Sequence, residues 1–193
     1  MEAKQERALF RIANDQGGYF SLSQARVAGI RRNQIYRAVR QGTIERVYSG
    51  VYRLSLFPFG QFEEVFAALV SMGENAVVGF ETALYIYGLS DIIPSDIHLI
   101  MPRSSSRRRS HVKMHTNQLD DQEITYFEGI RVTTVERTII DVLASHADMD
   151  QVRMAIEQAI DNGLTTRDKL IAQARKRSKS MQNKIERLLA HEV

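Results

Sequence analysis

The chain contains no cysteine, which excludes disulfides and thiolate metal sites outright. No apolar run approaches the ~18–20 residues of a membrane-spanning helix. The N-terminal stretch MEAKQERALFRIAND is charged and amphipathic from its start, unlike a signal peptide. These absences lead us to expect a cytoplasmic protein that stays off membranes. Also missing are a phosphate-cradling glycine loop, a nucleophile elbow and an HExxH pair. We therefore expect no enzyme, no cofactor and no metal. One further absence is local: between Arg31 and Thr43 there is no acidic residue at all.

What is present is an ordinary globular balance, 44% hydrophobic and 25% charged over 193 residues, enough for one or two domains with a real core. Net charge is only +3, but it is segregated. Residues 26–53 hold seven arginines against Glu45, residues 103–115 hold five basic residues and no acid, and residues 167–187 hold eight against two. Together these stretches carry +17, leaving −14 on the rest of the chain. Basic stripes on an acidic body are the electrostatic footprint of polyanion binding, although any one stripe taken alone reads as well as a solvated face.

Residues 3–14 place Ala8, Leu9, Ile12 and Ala13 at helical spacing, and Gly17-Gly18 ends that helix. Ser21-Leu22-Ser23-Gln24 is a capping box opening a short helix through Ala28. Gly29 breaks it, and Ile30 should anchor the turn. A third helix spans about 31–41 with Ile35, Ala38 and Val39 inward, and TIERVYSGVYRL then reads as a hairpin turning at Ser49-Gly50. Helix, helix, turn, helix and hairpin is the order of a winged helix-turn-helix, assigned to residues 1–57. After a linker at 54–61, residues 60–193 read as a second, mixed domain. It has helices at 62–72 and 81–88, strands at 76–78, 96–102, 110–116, 123–128 and 130–133, and a helical C-terminal third. The fold class is α+β.

With Ile35 and Val39 buried, the third helix exposes Arg31, Arg32, Asn33, Gln34, Tyr36, Arg37 and Arg40. A recognition helix meets base edges mainly through its N-terminal residues. Arginine pairs bidentately with guanine, and asparagine or glutamine with adenine. Arg40, with Arg46 and Tyr48 on the wing, suits phosphate contacts, which position without reading. The alternative is a solvated face on a protein–protein module, but such a face ordinarily mixes lysine with glutamate.

Beyond these residues, the chain resembles the AbiEi-type antitoxin family of bacterial type IV toxin–antitoxin (abortive infection) systems. The likeness rests on I-R-R-N-Q-I-Y-R-A-V-R-Q-G, on the wing end S-G-V-Y, and on three blocks in order: GFETALYIYGLSD (79–91), IHLIMPR (97–103) and GIRVTTVERTIIDVLA (129–144). The resemblance implies a transcriptional autorepressor that binds an inverted-repeat operator in double-stranded DNA, and leaves a dimer on DNA open. It also implies a second domain that counters a nucleotidyltransferase-like toxin, one not necessarily bound. An interaction protein acting through the second domain, or an RNA-binding factor, remains open.

Elsewhere, Arg103, Arg107, Arg108, Arg109, His111, Lys113 and His115 are candidates for a second basic surface, with the last three on one strand face. Asp91, Asp96 and His98 cluster in sequence, but Asp96 is read as preceding its strand. Thr133-x-x-Glu136 reads as a capping box, and Arg137–Asp141 as a buried i, i+4 pair. The apolar stripe Met181, Ile185, Leu188 and Leu189 could pack on the second domain, form a dimer seam, or support phosphate contacts.

Overall fold

A computed structural model of the chain describes residues 2–102, 110–145 and 147–190. It divides into two compact units, one of residues 1–76 with 128–130, the other of residues 77–127 with 131–193.

The first unit opens with α1 (Ala3–Asn14), whose spaced apolar residues bury Leu9 and Ala13. Gly17 follows with φ +62, and a Cβ there would lie 2.7 Å from the Phe66 ring, so this turn requires glycine. A three-residue strand β1 (Tyr19–Ser21) leads into α2 (Leu22–Val27), closed by the expected box: the Gln24 amide N–H donates to Ser21 Oγ and the Ser21 N–H to Gln24 Oε1. After α3 (Arg32–Arg40) come β2 (Ile44–Tyr48) and β3 (Val51–Leu54), and the sheet order is β1-β3-β2, all antiparallel. Leu9, Phe20, Ile30, Ile35, Ile44 and Tyr52 form one core under the three helices.

The winged helix-turn-helix is thus present, with two additions. β1 makes the wing three-stranded. The helix expected to open the second domain, α4 (Glu63–Met72), instead belongs to the first compact unit, where Ala67 and Val70 pack on Tyr19 and Val51. Pro58 and Gly60 punctuate the chain without ending the unit.

The second unit is built on a five-stranded mixed sheet of order β6-β5-β4-β8-β7. The strands are β4 (Val77–Val78), β5 (Ile97–Ile100), β6 (Val112–His115), β7 (Ile124–Phe127) and β8 (Ile130–Thr133). β4 runs antiparallel to β5 and parallel to β8, and β5 runs parallel to β6. Its helices are α5 (Phe80–Tyr87), α6 (Val135–Ala144), α7 (Met149–Asp161), α8 (Arg167–Arg177) and α9 (Lys179–Ala190). Among the described residues no helix is long and apolar enough to cross a membrane.

α6 carries the polar centre of this unit. Arg137 Nε donates to Asp141 Oδ2 at 2.7 Å and Arg137 Nη1 to Glu123 Oε2 at 2.6 Å, all three residues being buried. Gln173 of α8 also donates to Glu123. Burial pushes the Asp141 carboxyl up, against the pull of Arg137. The cap of α6 is shifted by one residue from the expected box. Thr134 Oγ1 accepts from the Arg137 N–H, Thr133 turns in to the Thr138 hydroxyl, and Glu136 accepts from Thr165.

Candidate nucleic-acid interface

Helix α2, the Gly29 turn and helix α3 form the helix-turn-helix. Gly29 holds φ +77, a left-handed conformation that bulkier residues resist. The Ile30 N–H then donates to the Ala25 carbonyl at 2.9 Å, and Ile30 is buried. The hairpin tip is tied to this module, since the Leu22 N–H donates to the Gly50 carbonyl at 2.9 Å.

α3 turns Ile35 and Ala38 into the core, with Val39 half-buried. Its outward face presents Arg31, Arg32, Asn33, Tyr36, Arg37 and Arg40, all exposed. Arg32 Nε donates to Tyr36 Oη at 2.6 Å, and its guanidinium lies 5.3 Å from the Tyr36 ring centre. Arg31, Arg37 and Arg40 make no ion pair among the described residues. Four guanidinium groups stand on α3 and its cap, and Arg46 adds a fifth from β2, where it and Tyr48 are exposed beside a bulge. A face that gathers cations without carboxylates is unfavourable alone and favourable against a polyanion.

Gln34 departs from the rest. It is half-buried, with Oε1 accepting the Arg31 N–H at 2.8 Å and Nε2 donating to Gln5 Oε1 at 3.1 Å. Gln5 Nε2 in turn donates to the Gly29 carbonyl at 2.6 Å. A chain of side-chain amides therefore ties α1, the turn and the start of α3 together. Gln5 carries no motif that would single it out in the sequence.

Arg53, one of the seven arginines of the basic stripe, is 2% exposed. It pairs with Glu45 at 3.2 Å, donates to the Phe57 carbonyl, and lies 3.9 Å over the Phe59 ring. It is a core residue of the wing and does not contribute to the outer face.

Of the second basic surface, Arg103, Arg107, Arg108 and Arg109 lie outside the described residues. His111, Lys113 and His115 do not form one exposed face. His111 precedes β6 with φ +62, Lys113 is exposed, and His115 turns in to stack on Phe80 with ring centres 3.7 Å apart. Burial, reinforced by His98 and Lys113, lowers the His115 pKa to about 4. His98 Nδ1 approaches Glu81 Oε2 to 2.6 Å, not either nearby aspartate. Burial pushes the Glu81 carboxyl up, but its bond to His98 holds it below its ordinary value. Among the described residues no group of three such side chains could hold a metal ion.

The basic tail is settled in part. Met181, Ile185, Leu188 and Leu189 of α9 are buried within the second unit, and Arg167 Nη1 of α8 donates to the Leu189 carbonyl at 2.8 Å.

Residues 7–55 match the family described as "Transcriptional regulator, AbiEi antitoxin", and residues 75–191 match the "AbiEi antitoxin C-terminal domain". No curated protein matches the chain. Among solved structures, the chain is similar to the RV2827C protein from Mycobacterium tuberculosis, with 13% identity and a TM-score of 0.57 over 98% of this chain and 77% of that one. At that identity the likeness is one of fold.

Proposed function

The chain belongs to the AbiEi antitoxin family, and from that premise we propose that it is a sequence-specific autorepressor acting in the cytoplasm on an inverted-repeat operator. DNA binding is assigned to the winged helix of residues 1–57. The remainder from residue 60 is assigned to countering a nucleotidyltransferase-like toxin, without a stable complex being required. Neither assignment includes a catalytic step.

The observation that supports this reading best is the outer face of α3: Arg31, Arg37 and Arg40 exposed and without an ion pair among the described residues, with Asn33 among them. Asn33 and Arg37 are assigned to base edges, with Arg31 and Arg32 beside them at the N-terminal end. Arg40, Arg46 and Tyr48 are assigned to phosphate. Tyr36 orients Arg32 through the bond to its hydroxyl. Gln34 is assigned to positioning α3, because both ends of its amide are engaged within the protein.

The test is binding of the full chain to the duplex upstream of its own reading frame, against random duplex of equal length. A specific complex should form at about 10⁻⁸–10⁻¹¹ M and weaken steeply with salt. Equal binding to both duplexes would remove the repressor reading. For the toxin assignment, co-expression with the product of an adjacent nucleotidyltransferase-like frame should relieve growth arrest.

A further inference from the structure

Beside the proposed reading face, α1, α3 and the end of the wing enclose an open groove of about 920 Å³. That is within the roughly 300–1,000 Å³ of small-ligand sites. Its floor is apolar, made by Leu9, Ile44 and Leu54, and its walls are Phe10 and Leu56. Both wall residues are exposed, 43% and 66%, and the Phe10 ring is held against Phe57 with centres 5.5 Å apart. Large apolar side chains left facing water around one concavity mark a surface that another apolar body covers.

The charge around this groove says what kind of body. Arg7, Arg11 and Arg37 line it, against Glu6 as the one carboxylate. None of the three arginines makes an ion pair among the described residues. Guanidinium groups at the mouth of an apolar groove suit a carboxylate, which they bind with two parallel N–H bonds.

We propose that this groove binds a small carboxylic acid with an apolar body, and that its occupancy releases DNA. The second half rests on the repressor reading above. Arg37 lies on both surfaces, lining the groove and standing on the outer face of α3. A guanidinium clamped on a carboxylate is withdrawn from a base. The groove also runs along the seam that the Gln5–Gln34 bond closes, so a body seated there bears on the placement of α3. Ligand and duplex are then coupled, and each must weaken the other by the same factor.

The probes are sodium octanoate and 1-octanol, titrated by calorimetry into the full-length protein and into its complex with duplex. Two variants leave the proposed DNA face untouched: Leu56→Asp, at an exposed position, and Arg7→Gln with Arg11→Gln. Octanoate should bind saturably, at least about tenfold more weakly in either variant, with octanol weaker than octanoate. Duplex affinity should fall by about fivefold or more when octanoate saturates the protein, and should be unchanged in the unliganded variants. The site is overturned if octanoate does not bind saturably, if octanol binds as well, or if both variants behave as wild type. If octanoate binds as described but duplex affinity does not move, the regulatory half is overturned. Failure of the unliganded protein to bind its upstream duplex would instead sink the repressor reading, and the calorimetry would still judge the groove by itself.

Discussion

Gln34 and Gln5 meet side chain to side chain, Nε2 to Oε1 at 3.1 Å, and this bond joins α3 to α1. Gln34→Ala should therefore act on position more than on reading. We expect a stability loss of about 0.5–1.5 kcal/mol and weaker binding to all operator variants alike. A thermal melt and a panel of single-base operator changes separate the effects. Loss of discrimination at one base pair only would return Gln34 to the bases. Gln5→Ala should reproduce the phenotype, and the two changes together should be less than additive.

On the function proposed above, the residues left facing outward divide by task. Asn33→Ala and Arg37→Ala should each cost about 1–3 kcal/mol on the cognate site and relax preference at one position. Arg46→Ala should weaken every duplex alike and reduce the salt slope by about one. Titrations at several salt concentrations check both.

In the second unit, Arg137→Met leaves Glu123 and Asp141 buried beside an apolar group. Breaking a buried pair from one side costs about 3–5 kcal/mol, to be read by urea denaturation. Arg137→Met with Asp141→Leu should recover part of that loss, since the double change removes an unpaired charge. If the single variant were as stable as wild type, the network would be a surface feature and not a core one.

His115 gives the unit a pH dependence of defined sign. Its pKa is lowered to about 4, by burial first and then by His98 and Lys113, below the ~6.5 of an unfolded histidine. Between those values the unfolded chain binds the proton and the folded chain does not, so stability falls as pH drops from about 6.5 toward 4. The half-exposure of this residue makes the effect smaller than the full shift implies. Melts at pH 7 and pH 5 should differ less in His115→Gln than in wild type. An unchanged difference would place the slope on other groups.

Much of this was legible in the sequence, and for physical reasons. Helical spacing and caps located α1, α2, α3 and the C-terminal helices, because burial of one face leaves a period behind. β1 left none, having three residues and taking its pairing from β3. Periodicity shows which face of α4 is apolar but not what it packs on, and its place in the first unit comes from the distant Tyr19 and Val51. Composition counted Arg53 as surface charge, whereas Glu45 and the Phe57 carbonyl let it be buried. The alternation around Lys113 predicts one face, but the strand begins only at Val112 and Phe80 draws His115 inward.

The central claim is that the acid-free face of α3 reads a specific duplex, and footprinting of the full chain on its own upstream region tests it most directly. The account predicts protected, symmetrically related half-sites at protein concentrations that leave random duplex free, and loss of that protection with Arg37→Ala. Uniform protection, or protection indifferent to Arg37, would contradict it.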